Sequence, residues 1–146
     1  VNAAPTTSAP PPVVRRLGPP LAALAAVAVP TAYVAVVDPN APGHYPDCPF
    51  LTATGWWCPG CGGLRCVHAL AHGDLTGALH DNAVAVLLFG VLAVLWLRWG
   101  WAALTGGPPP RVSVGARRWA LIVLLVLVFA VVRNLPVGAG LAPPVV

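Results

Sequence analysis

From Leu17 to Val37 the sequence carries no charge, and the run is bounded by Arg16 and Asp38. Two more apolar runs follow, at residues 83–104 and 119–136, interrupted only by Arg98 and Arg133 towards their ends. About 20 apolar residues in a helix cross the hydrocarbon core of a bilayer, so each run reads as a crossing. Composition agrees: 58% of the 146 residues are hydrophobic and only 8% are charged, against roughly 25% in an ordinary soluble domain. So few charges cannot cover the surface of a soluble fold. The expectation is an all-α membrane protein with three transmembrane helices.

The first run exceeds the ~7–15 apolar residues of a signal peptide, and no small-x-small cleavage site follows it. It reads as a retained helix over residues 17–37, kinked at Pro30, which lacks a backbone donor. Residues 1–16, rich in Pro, Thr and Ala at their start, read as a disordered tail.

The eight positive residues are all Arg and the four acids all Asp. Arg15 and Arg16 precede the first run, and Arg111, Arg117 and Arg118 lie between the second and third. Three crossings put both groups on one side, which the positive-inside rule makes cytoplasmic. The tail and the 105–118 loop are then cytoplasmic, and residues 38–82 and the 137–146 tail are external. The expected location is a bacterial inner membrane, with the N-terminus cytoplasmic. The Arg-, Ala-, Val- and Pro-rich composition suggests a GC-rich genome. Trp96, Trp99 and Trp101 read as an interfacial belt.

The external segment holds all four Asp, all four His and all four Cys. Up to Cys61 it is rich in Pro and Gly and reads as irregular. A short helix follows over residues 64–72, ended by Gly73, and a second over residues 75–80, capped by Asp74. Together they form a small cap on the outer surface, with Trp56 and Trp57 at the headgroups.

"GWWCPGCGGLRC", residues 55–66, carries the chemistry. Three readings of its thiols stay open. Cys48 forms a structural disulfide with Cys58 or Cys61 in an oxidising compartment; or Cys58 and Cys61 exchange thiols as a membrane oxidoreductase, with Cys48 or Cys66 resolving; or Cys48, Cys58 and Cys61 bind zinc, with His44 the best fourth ligand. His68 lies about 10 Å along a continuous helix from Cys61, at the edge of joint reach. Whether Gly62 and Gly63 break that helix decides if it can join. Arg65 faces Asp74 or Asp81, a headgroup or a thiol, and Arg133 snorkels or packs under the cap near Asp81 and Asn82.

Cys48-Pro49, Gly55, Cys58-Pro59, Cys61-Gly62, Arg65, Gly73-Asp74 and Asn82 before a hydrophobic run resemble a family of small bacterial membrane proteins. It is known only as domain of unknown function twenty-seven fifty-two. Leu64 stands where that family usually has Thr, and Ala83 where Pro is common. A weaker echo falls at Arg133-Asn134. The resemblance implies membrane class, assigns no activity, and leaves Cys66 outside the motif.

No phosphate-binding loop or Ser-His-Asp grouping is present, and no paired intramembrane carboxylates suggest a proton-coupled transporter. The functional expectation is an accessory or structural membrane subunit, more a non-enzyme than an enzyme, whose cap is held by Cys48, Cys58 and Cys61 through a disulfide or a metal. Its partners are the lipid bilayer and a membrane protein or a second copy, not nucleic acid.

Overall fold

A computed structural model of the chain describes residues 12–143. Most of the expected disordered tail and the last three residues of the external tail lie outside the described residues. Within them the fold is all-helical, with no strand: α1 Val13–Val36, α2 Pro49–Thr54, α3 Gly63–Ala71, α4 Leu75–Thr105, α5 Ala116–Val132 and a short 3-10 helix Pro136–Leu141.

Among the described residues two helices, not the expected three, are long and apolar enough to cross a membrane: α1 and α4. The third run forms α5, but α5 has 17 residues, about 25 Å at 1.5 Å per residue, short of a core about 30 Å thick. Its continuation is blocked at the far end: Pro136 has no N–H to extend a helix and biases the residue before it to extended backbone. Leu135 accordingly sits at φ −99°, ψ 154° and starts the 3-10 helix. The expected loose external tail is therefore partly ordered. Gly138 is buried there, where an added Cβ would strike the Val132 carbonyl.

α1 continues through Pro19, Pro20 and Pro30 as one helix. The break in helical dihedrals comes instead in α4, at Asn82 (φ −163°, ψ 92°). α1 and α4 are joined near one end by Trp96, whose Nε1 donates to the Pro20 carbonyl at 2.9 Å. Trp96 thus makes a helix-to-helix bond rather than serving only the expected belt. Near the other end, carbonyls at the C-terminal end of α1 are met by the cap: His68 Nδ1 donates to Val34 O at 2.9 Å and Tyr45 Oη to Val37 O at 2.9 Å. Carbonyls at a helix C-terminus lack intrahelical partners, so these two bonds fasten α3 and the preceding loop to α1.

Burial is inverted relative to a soluble domain. Arg133 and Asn82, each 1% exposed, are among the largest fully buried side chains, while Leu87, Val94, Leu121 and Leu125 are exposed. Exposed apolar surface on this scale marks a surface that meets something other than water.

Candidate metal centre

Residues 38–82 are more ordered than their composition suggests. α2 is not among the expected helices, yet its sequence signs are conventional: Pro49 at the first helical position, where its missing N–H costs nothing, and Gly55 at φ +72° as C-cap. α3 ends in a Schellman motif, with Gly73 at φ +77°, Gly73 N–H on Leu70 O and Asp74 N–H on Ala69 O. Asp74 then caps α4, its Oδ1 accepting from Gly77 N–H at 2.8 Å. Between α2 and α3, residues 55–62 form a tight loop. Cys61 N–H bonds Cys58 O at 3.1 Å and Gly63 N–H bonds Gly60 O at 3.0 Å.

This folding brings Cys48, at the start of α2, against Cys58 and Cys61 in the loop. The three Sγ atoms lie within 4.8 Å of one another. Cys48 and Cys58 are 3.6 Å apart, Cys58 and Cys61 2.9 Å, and Cys58 N–H donates to Cys61 Sγ at 3.2 Å. All four cysteines are free thiols. The Leu51 and Phe50 amides point at Cys48 Sγ from the first turn of α2 without a full cap hydrogen bond, and they hold its thiol below the usual range. Burial, with the neighbouring thiols, pushes Cys61 up to about 12.

His44 is exposed and outside the trio. His68 is committed to Val34 O, and its Nε2 faces Asp38 Oδ1 at 3.8 Å. His72 stacks on it, ring centroids 4.3 Å apart. Gly62 does break the helix: at φ +80° it is the N-cap of α3. Cys66 is fully buried on α3, its Sγ 3.9 Å from Asn82 O, and takes no part in the trio. Arg65 interacts electrostatically with Asp81.

The loop is held by three side chains beyond the thiols. Asn82 donates Nδ2 to Pro59 O at 2.9 Å and Cys61 O at 3.1 Å, while its Oδ1 accepts from Ala85 N–H at 2.9 Å. It is thus an N-cap inside α4, bonding the N–H three residues on, and a clasp on the cysteine loop at once. Arg133 donates Nη1 to Cys58 O at 3.0 Å and Cys61 O at 3.2 Å, and Nη2 to Asp81 O at 3.4 Å. Asn134 exchanges two bonds with the Trp57 peptide: Oδ1 accepts from its N–H at 2.8 Å and Nδ2 donates to its carbonyl at 2.9 Å. Asn134 is legible in the sequence only as a faint echo of the family motif, because nothing local announces a bond to a residue 77 positions away.

Three thiols from two separate turns fit a soft, thiophilic metal. A tetrahedral zinc thiolate with Zn–S of about 2.3 Å sets its sulfurs about 3.7 Å apart, close to the Cys48–Cys58 spacing of 3.6 Å and wider than the 2.9 Å between Cys58 and Cys61, which an ion would spread. Thiolate ligands select zinc, copper(I) or iron. The backbone around Cys58 and Cys61 is held by the Asn82 and Arg133 bonds to their carbonyls and to that of Pro59.

Residues 48–96 match the family model described as Protein of unknown function (DUF2752). The match covers the thiol trio, α3 and most of α4. No curated protein and no solved structure matches the chain.

Proposed function

We propose, starting from the match of residues 48–96 to the DUF2752 family, that the chain is a small membrane subunit whose cap binds one thiophilic metal ion, zinc foremost, at Cys48, Cys58 and Cys61. In this reading α1 and α4 cross a bacterial inner membrane, and α5, shorter than the hydrocarbon core, is returned to the cap side by the non-helical residues that follow it. The cap and Arg133 lie on the external side, the N-terminus on the cytoplasmic side, and lipid or a partner membrane protein covers the exposed apolar faces. The observation that carries the metal is the convergence of three sulfurs within 4.8 Å on a loop pinned by Asn82 and Arg133. The ion ties α2 to the loop and so holds the cap on the end of α4; the role is structural or accessory.

Thiol exchange through Cys58 and Cys61 is the second reading; the convergence of a third sulfur, Cys48, on that pair favours a metal over a two-thiol couple.

The test is metal analysis of the full chain purified in detergent, beside Cys48→Ser, Cys58→Ser and Cys61→Ser. The expected result is about one zinc per wild-type chain, sharply reduced in each variant. Zinc in none of the samples sinks the metal reading, and a Cys48 bridge that opens only under reductant, found with it, makes the cap a disulfide-held one.

A further inference from the structure

We propose that Arg133 is the counter-cation of the thiol centre, and that it fits the site to a divalent metal bound by all three sulfurs as thiolates. This deepens the metal reading above and rests on it.

Arg133 is 1% exposed. Its hydrogen bonds go to the neutral carbonyls of Cys58, Cys61 and Asp81, and its Nε has no partner. The Phe129 ring lies against it, 4.9 Å from Cζ to the ring centroid. Among the described residues no carboxylate is within ion-pair distance of it. A guanidinium does not deprotonate in a protein, and a buried charge without a counter-charge is strongly unfavourable. The ionisable groups whose charge acts on Arg133 are Cys61 and Cys58, and it already holds the carbonyls of both.

Metals bind cysteine as thiolate. Three thiolates around a divalent ion carry one net negative charge, which the single charge of Arg133 cancels. Three thiolates around a monovalent ion carry two, and one remains uncancelled. A monovalent ion reaches neutrality beside Arg133 only with two thiolates, leaving the third sulfur protonated and unused. A low-dielectric site favours the neutral assembly. The gathering of three sulfurs therefore suits a divalent ion, and Arg133 makes the third thiolate tolerable. The same balance calls for a neutral fourth ligand.

The experiment uses the full chain in detergent with cadmium(II) as the divalent probe and copper(I), handled without oxygen, as the monovalent one. Affinities come from competition with a chromophoric chelator, and thiolate number from the sulfur-to-cadmium charge-transfer absorbance. Wild type is expected to show three thiolates per cadmium. Cys61→Ser is expected to weaken cadmium binding at least about tenfold while moving copper(I) binding less than about threefold. Arg133→Met is expected to lower the charge-transfer intensity from three thiolates to two, and adding Cys61→Ser to it, the buried thiol whose carbonyl Arg133 bonds, to change little more. Arg133→Lys, which keeps the charge, is expected to keep three. Asn134→Ala disturbs the same helix end without altering charge and is expected to keep three as well.

Three thiolates retained in a folded Arg133→Met, or equal loss in Asn134→Ala, overturns the counter-cation role and leaves the metal reading standing. If Arg133→Met does not fold, the cadmium-against-copper(I) response of Cys61→Ser decides: equal losses for both ions overturn the proposal. No cadmium binding by wild type overturns the metal reading itself.

Discussion

Asn82 and Arg133, 51 positions apart in sequence, donate to the same atom: the Cys61 carbonyl accepts from Asn82 Nδ2 at 3.1 Å and from Arg133 Nη1 at 3.2 Å. One comes from the break in α4 and the other from the end of α5, so the cysteine loop is the place where these two helices are joined.

Removing the Asn82 amide leaves two loop carbonyls and the Ala85 N–H without this partner. Asn82→Ala is expected to cost about 2–4 kcal/mol, since each buried bond is worth ~0.5–1.5 and an orphaned group more. Thermal unfolding in detergent, followed by circular dichroism, checks it; a shift no larger than that of an exposed-site control would contradict the clasp.

Gly62 and Gly63 are neighbours with opposite expected tolerances. Gly62 has φ +80° and a Cβ there would collide with the Asp81 carbonyl, whereas nothing lies within 4 Å of a Cβ on Gly63. Gly62→Ala is expected to destabilise by more than about 1 kcal/mol, while Gly63→Ala in the first turn of α3 is expected to be neutral or stabilising by ~0.4–1 kcal/mol. Comparing the two melting temperatures decides it.

Cys61 gives the metal-free protein a high-pH weakness. Its folded pKa is raised from the ordinary thiol value of 9.0 to about 12, so between those values the folded state binds the proton that the unfolded state releases. Its contribution to stability is complete below about pH 9 and is lost as pH climbs towards about 12. Denaturant titrations of metal-stripped protein at rising pH should show that decline, and Cys61→Ala should flatten it.

Thiol accessibility tests the orientation. Cys48 is partly exposed and Cys66 fully buried. In intact cells depleted of metal and reduced, a membrane-impermeant maleimide should label Cys48 and spare Cys66. Labelling of Cys48 only after lysis would put the cap on the cytoplasmic side.

The capping chemistry of residues 38–82 is largely readable from the sequence. Gly73, Asp74 and the helices on either side follow from local rules, because a cap is written within four residues. The grouping of Cys48 with Cys58 and Cys61 is readable as one option among several, since Cys-x-x-Cys spacing and a third thiol ten residues earlier suit more than one chemistry. His44 illustrates the limit: spacing admits it as a fourth ligand, yet the structure leaves it exposed and outside the trio. The contacts of Arg133 and Asn134 are beyond local reading, because they depend on where the end of α5 arrives. α2 escapes for a plainer reason: a Pro-rich stretch reads as irregular until Pro49 is recognised as a helix start. The third apolar run gains its length in the sequence only by counting through Pro136, which the backbone does not permit.

The break at Asn82 divides α4 into two lengths with different partners. The turns before it belong to the cap; the straight part, residues 83–105, is about 34 Å long and takes its starting point from the Asn82 side chain. Because that same side chain grips Pro59 and Cys61, the thiols keep a fixed offset from the first residue of that part. Arg133 holds the same loop from the end of α5, so a tilt of residues 83–105 against α5 would pull on the sulfur-bearing loop from two sides.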